Sequence, residues 1–138
     1  MFAGLGDFEG VWQLSRRIEQ QNAPHAELHG SAVLRPDAHG LCYDETGLLR
    51  VGDQPPVTAE RRYLWRSGPG AVIEVLFADG RAFHRIDPAD PQDSHWCDPD
   101  RYEVQYDFSR WPRWTSIWHV RGPRKDYVMT SEYRRAST

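Results

Sequence analysis

The apolar residues of this chain recur with a period of two nearly everywhere, and that period restricts the fold class more than any other feature. Tyr102, Val104, Tyr106 and Phe108 alternate with Glu103, Gln105 and Asp107, as a strand with one dry and one wet face requires. Ala71, Ile73, Val75 and Phe77 share a parity, as do Ala59, Arg61, Tyr63 and Trp65, and later Trp114, Ser116, Trp118 and Val120. Turn chemistry separates these runs at Asn22-Ala23-Pro24, Pro36 to Gly40, Ser67 to Gly70, Asp79-Gly80, Asp98-Pro99-Asp100 and Gly122-Pro123, with Asp79-Gly80 the strongest hairpin signal. The spacing predicts about eight to ten antiparallel strands in a sandwich or a closed barrel. No strand–helix–strand rhythm is present, and only Phe2 to Phe8 reads as helical, a short turn suited to plugging one end.

The length of 138 residues suits one domain spanning 1–138, near the commonest domain size. No apolar run approaches the ~20 residues of a membrane helix, so no membrane span is expected. The opening MFAGLGDFEG has neither the basic region nor the long apolar stretch of a secretory signal, and a cytoplasmic protein is expected. In that compartment Cys42 and Cys97 should be reduced. Net charge is -3, yet the region from Arg101 onward holds 8 basic and 4 acidic residues. These cations are interleaved with aromatic residues in strands instead of clustering on one face, so nucleic-acid binding is not expected.

One strand poses a chemical question. In FEGVWQLSRRIEQ, Trp12, Leu14, Arg16 and Ile18 share a parity, which points a guanidinium into an apolar interior. That burial is costly unless a carboxylate or a ligand anion meets the charge. Arg61 shares a face with Tyr63 and Trp65, and Tyr127, Met129, Ser131 and Tyr133 form the matching face of the last strand.

Gly10-Val11-Trp12 at the head of the first strand and Arg134-Arg135 at the end of YVMTSEYRRA resemble the two signatures of the calycin superfamily, the lipocalins and fatty-acid-binding proteins. The resemblance implies an up-and-down barrel in which Arg135 or Arg134 lies across Trp12 and closes the bottom. It also implies a ligand carboxylate held by interior arginine and tyrosine, as in fatty-acid-binding barrels. The segments DGRAFHRID, HWCDPDRYEVQYDF and GPRKDYVMTSEYRR further resemble a small bacterial family of uncharacterised function, which implies the fold and no activity.

Phe83-His84 and His95-Trp96-Cys97-Asp98-Pro99-Asp100 contain zinc-ligand types, and His-x-Cys puts two on one strand face. No second compact pair follows, so no metal is expected. His84, His95 and Tyr102 are the candidates for acid–base work, but no nucleophile elbow, phosphate-binding glycine loop or dinucleotide fingerprint accompanies them. Lys125 is the single lysine beside 16 arginines; with Arg124 at a barrel mouth it would recruit an anion, unless Asp126 neutralises the pair.

The reading is therefore an all-β antiparallel barrel that binds a small, partly apolar, anionic molecule without a cofactor. Its candidate ligand contacts are Arg16, Arg61, Tyr63, His84, His95, Tyr102, Tyr106, Arg124, Lys125 and Tyr127, with Trp12, Arg134 and Arg135 for closure. The alternative is a small enzyme using His84 and His95. A third reading is an oligomerising module, a homodimer for instance, with Trp111 and Trp114 exposed for contacts.

Overall fold

A computed structural model describes residues 2–136. After a 3-10 turn, Leu5–Phe8, ten strands follow: Gly10–Gln20 (β1), Ala26–Pro36 (β2), Leu41–Val51 (β3), Val57–Ser67 (β4), Ile73–Phe77 (β5), Ala82–Ile86 (β6), Gln92–Cys97 (β7), Asp100–Arg110 (β8), Arg113–Gly122 (β9) and Lys125–Arg135 (β10). All pairings are antiparallel, in the order β6-β5-β4-β3-β2-β1-β10-β9-β8-β7. The pairing of β1 with β10 joins the first and last strands in a nearly closed barrel, as the calycin-like reading expects. A seam remains between β6 and β7, which form no ladder; there the Arg85 amide donates to Asp93 Oδ2 at 2.7 Å.

The alternation read from sequence is the alternation of burial. In β8 Val104, Tyr106 and Phe108 are buried between exposed Gln105 and Asp107; in β9 Trp114, Ser116, Trp118 and Val120 point inward. A single sheet curled into a barrel has one inside face, so the same parity must be apolar along each strand.

One end is filled. Phe2, Leu5 and Phe8 are buried, and the Phe8 ring packs edge-on against Trp65, Trp111 and Trp114 at 4.8 to 5.5 Å between centroids. Trp12 is completely buried, and its indole N–H donates to the Phe8 carbonyl at 2.9 Å. Register decides which arginine covers it. Trp12 pairs with Arg135 and Gln13 with Arg134, so only Arg135 shares the tryptophan's face. Its Cζ lies 3.9 Å from the ring centroid, a contact worth about 0.5 to 2 kcal/mol. Its Nη1 donates to the Glu9 carbonyl at 2.7 Å and its Nη2 to that of Asp7, tying the turn to the barrel floor.

Gly10 completes this closure. Its φ of 127° is in the region that disfavours side chains, and a Cβ there would lie 2.8 Å from Arg135 Nη1. The glycine and tryptophan of the Gly-x-Trp signature thus make room for, and receive, one guanidinium. Trp111 and Trp114, expected on the surface by the oligomer reading, belong to this packed end: Trp114 is 1% exposed and Trp111 packs against the core. The correction follows from the short turn between β8 and β9, which folds back onto the plug.

Trp12→Ala is expected to lower stability by about 3 to 5 kcal/mol in urea unfolding, as for a large core truncation. Arg134→Ala should leave the unfolding midpoint nearly unchanged while Arg135→Ala lowers it. Equal effects of the two arginine variants would contradict the closure described.

Candidate ligand-binding site

The other end is hollow because two strands are short. β5 pairs only with Tyr63–Ser67 of β4, so 57–62 lie beyond the end of that ladder. The β5–β6 hairpin thus stops at the level of Tyr63, while β7 continues to Cys97. The gap is a side window bounded by Arg61 and Tyr63, by Phe77 and Arg81, and by His95 and Cys97. Behind it lies a cavity of about 510 Å³, within the range of about 300 to 1,000 Å³ of small-molecule sites.

Its wall is aromatic through a break in strand alternation. Val75 pairs with His84 but Leu76 pairs with Ala82, leaving Phe83 as the extra residue of a bulge. A bulge re-aims side chains, and both Phe83 and His84 line the cavity. Phe83 stacks on Phe77 at 4.4 Å and on Trp118 at 5.1 Å, with Tyr63 at 5.6 Å.

The base of the cavity answers the question posed by Arg16. Its guanidinium meets Glu45 in a two-pronged ion pair, Nη1 to Oε2 at 2.6 Å and Nη2 to Oε1 at 2.8 Å, and Nε donates to Ser131 Oγ at 2.8 Å. Arg16 and Glu45 are 6% and 2% exposed, a depth at which an unpaired charge would be prohibitive. Burial works against the Glu45 carboxylate, but the bonds from Arg16 and Tyr43 outweigh it and hold the pKa below the ordinary glutamate value. Proton directions follow. Tyr43 donates to Glu45 Oε1 at 2.6 Å, so its oxygen accepts from Tyr133 at 2.9 Å, whose own oxygen faces Arg16 Nη2 at 3.4 Å. This layer is neutral overall and largely saturated. Of the two partners left open by the sequence, a carboxylate and a ligand anion, the protein supplies the carboxylate.

Glu45, Tyr43, Ser131 and Tyr133 were missing from the candidate contacts. A signal for Glu45 was available: Leu41, Tyr43 and Glu45 alternate in LCYDE, placing a carboxylate on an interior face as plainly as Arg16 is placed on another.

Higher on the wall, His84 Nε2 is 2.8 Å from the Tyr106 hydroxyl, while Nδ1 is buried with no hydrogen-bond partner. Burial, aided by the charge of nearby His95, pushes the His84 pKa down to about 3. The imidazole is therefore neutral at ordinary pH.

Tyr63, His95, Tyr102, Tyr106 and Tyr127 all line the cavity, as does Arg61 from its exposed rim. No acid among the described residues comes within ion-pair distance of Arg61. Lys125 and Arg124 are different. Lys125 Nζ is 2.9 Å from Asp100 Oδ2, so its charge is matched, and by Asp100 instead of the expected Asp126, which faces His119 at 3.0 Å. Gly122 permits this, since a Cβ there would lie 1.9 Å from Asp100 Oδ1. Arg124 is exposed and does not border the cavity. Both corrections arise because strand pairing brings β8 beside the β9–β10 turn, a neighbour the local sequence does not contain. Cys97 and Trp96 stand at the window; Trp96 is 63% exposed and both cysteines are free. Among the described residues, no three His, Cys, Asp or Glu side chains gather as metal ligands would, and no helix is long and apolar enough to cross a membrane.

The fold, a nearly closed antiparallel barrel, resembles calycin-type barrels, and its hollow aromatic interior over a saturated polar base is consistent with a small-molecule pocket. The chain is a member of the family of unknown function DUF6314, whose model matches residues 8–135. Its fold is similar to that of the S-type phycobiliprotein lyase CPES from Guillardia theta, with a TM-score of 0.60 and 9% identity over 97% of this chain and 91% of that one; identity so low carries the architecture alone. No curated protein matches the sequence.

Two predictions follow from the buried charges. Glu45→Ala should lower stability by about 3 to 5 kcal/mol by stranding Arg16, and Arg16→Met combined with Glu45→Leu should recover most of that loss. The pair would be misassigned if the double variant were no more stable than Glu45→Ala. For His84, the folded pKa of about 3 lies below the ordinary 6.5. The unfolded chain therefore binds a proton that the folded one does not, and stability falls as pH drops below 6.5, by at most about 1.4 kcal/mol per pH unit. Down to about pH 5, above the ordinary glutamate range, this slope is separable from the loss due to Glu45. His84→Gln should flatten unfolding free energy against pH between about 6.5 and 5; an unchanged slope there would show that His84 titrates normally.

Proposed function

We propose that this protein is a binding barrel for a small, partly apolar molecule with one anionic group, which enters through the side window. The single observation that carries the reading is the pairing of an aromatic-walled cavity of about 510 Å³ with one rim cation, Arg61, that makes no ion pair among the described residues, although it lies across from Glu45 in the β3–β4 ladder and its charge helps keep that carboxylate ionised. A cavity lined by Phe77, Phe83 and Trp118 favours a flat or aliphatic body by removing its apolar surface from water. A guanidinium at the lip favours an acid because its planar fork meets a carboxylate in two hydrogen bonds and keeps its charge on partial desolvation. Arg81 contributes less, since its charge is shared with Asp79 at 2.7 Å.

This assignment moves the ligand's acid from the barrel interior to its rim. Free Cys42 and Cys97 accord with a cytoplasmic setting, which belongs to the same proposal. Acid–base catalysis is a second reading, favoured by His84 and His95 lining one cavity with Tyr102 and Tyr106. The uncommitted His84 nitrogen is sealed in the wall, so any such chemistry would fall to His95 and the tyrosines.

Anilinonaphthalene sulfonate, an apolar anion whose fluorescence rises in dry sites, is the probe of choice. Arg61→Met should weaken its binding several-fold and Arg124→Ala should not. A probe that binds both variants as it binds the wild type would remove Arg61 from the site; no binding at all would count against the barrel as a container.

A further inference from the structure

The wall dyad of His84 and Tyr106 has more protons than partners. A neutral imidazole carries one N–H and a phenol one O–H, and a single contact of 2.8 Å between Nε2 and the hydroxyl uses one of them. The other has no acceptor among the described residues. Two arrangements are available. If Tyr106 donates to Nε2, the stranded group is Nδ1–H, sealed in a dry wall beside Phe83 and Trp118. If Nε2–H donates to Tyr106, Nδ1 is left with a bare lone pair, and the phenol proton has no protein acceptor, on a residue that lines the cavity. The second is the cheaper, because a buried N–H without an acceptor is more costly than an under-used lone pair, and the freed O–H can be met by whatever occupies the cavity.

The surroundings define what that occupant presents. An anion at this depth would find no uncommitted cation. Arg16 directs Nε to Ser131 and both terminal nitrogens to Glu45, and the Glu45 carboxylate itself borders the cavity. A neutral acceptor meets neither repulsion nor an unpaired charge.

We propose that the Tyr106 hydroxyl, held by His84 in its Nε2–H form, is the donor for a neutral carbonyl oxygen at the inner end of the ligand, whose acid group stays at the window. The inference rests on the binding function proposed above and adds to it the ligand's orientation and its second polar group. The ligand class is an amphipathic acid carrying a ketone or aldehyde oxygen some way along an apolar body. Tyr106 is then a specificity-determining residue: a site built to donate one hydrogen bond discriminates against an analogue lacking the acceptor.

The experiment has two arms on the full chain. Proton–nitrogen correlation spectra of the His84 ring report which nitrogen carries hydrogen; Nε2–H is expected, and Nδ1–H would overturn the proposal without any variant having to fold. In the second arm, calorimetry compares dodecanoic acid with its oxo isomers, the ketone placed at successive carbons. One isomer should bind wild type about three- to tenfold more tightly than the plain acid. Tyr106→Phe should abolish that preference, read as the ratio of the isomer's affinity to that of dodecanoic acid within the same variant. If no isomer gains, or if the preference survives in Tyr106→Phe, the donor role is refuted while the container remains. Failure of every acid to bind wild type would instead overturn the binding function, and this inference with it.

Discussion

The buried pair of Arg16 and Glu45 divides the barrel into two regimes. Below it, aromatic side chains fill the space around the N-terminal turn; above it lies the cavity. Two charges at that depth persist only because three strands deliver partners together: Arg16 from β1, Glu45 from β3, and Ser131 with Tyr133 from β10. Such a layer contributes little net stability compared with an apolar one of the same volume. What it does is fix register, since a slip of one residue in β1 or β3 would turn a charged group outward and leave its partner alone, and a slip in β10 would remove the Ser131 and Tyr133 hydroxyls from Arg16.

The same layer changes the meaning of an interior arginine. An inward-facing guanidinium suggests a receptor for an anion, yet here the anion is part of the protein. The cationic side chain without an ion pair among the described residues is at the lip, Arg61, where β4 outruns the β5–β6 hairpin. The truncation of one hairpin and the bulge at Phe83 therefore do most to shape the site, the first by opening the window and the second by turning two adjacent residues into the cavity. The aromatic density that closes one end and lines the other uses one chemistry for two purposes: filled where the 3-10 turn inserts, hollow where nothing does.

Much of the architecture was legible in the sequence. Period-two patterning in segments such as Tyr102 to Phe108 can be satisfied by a strand and by little else, and turn residues at regular spacing leave only meandering antiparallel connections. The closure by Trp12 and a terminal arginine was implied by the resemblance to calycins and not by the pattern, and the resemblance did not say which arginine closes it. Arg135 and Arg134 are neighbours of opposite parity, and pairing with Trp12 selects between them. The candidate site was legible as a list of inward-facing polar residues. Parity says which way a side chain points, so Arg16, Tyr63, Tyr102, Tyr106 and Tyr127 were found.

What the sequence by itself determined is the direction in which side chains face along the regular strands, because alternation is a local property of the extended backbone; the bulge at Phe83, where two neighbours both line the cavity, is the exception. What only the tertiary structure decided is what each one meets. Arg16 and Glu45 are 29 residues apart, and Arg16 and Ser131 are 115 apart; Lys125 found Asp100 because β8 lies beside β9, not because of any neighbour in the chain. Charge compensation inside a barrel is a property of contacts across strands, and those exist only once the sheet has curled and closed. That is why an arginine that parity alone would offer to an anion is tied into the scaffold by Glu45, while Arg61 at the rim makes no ion pair among the described residues.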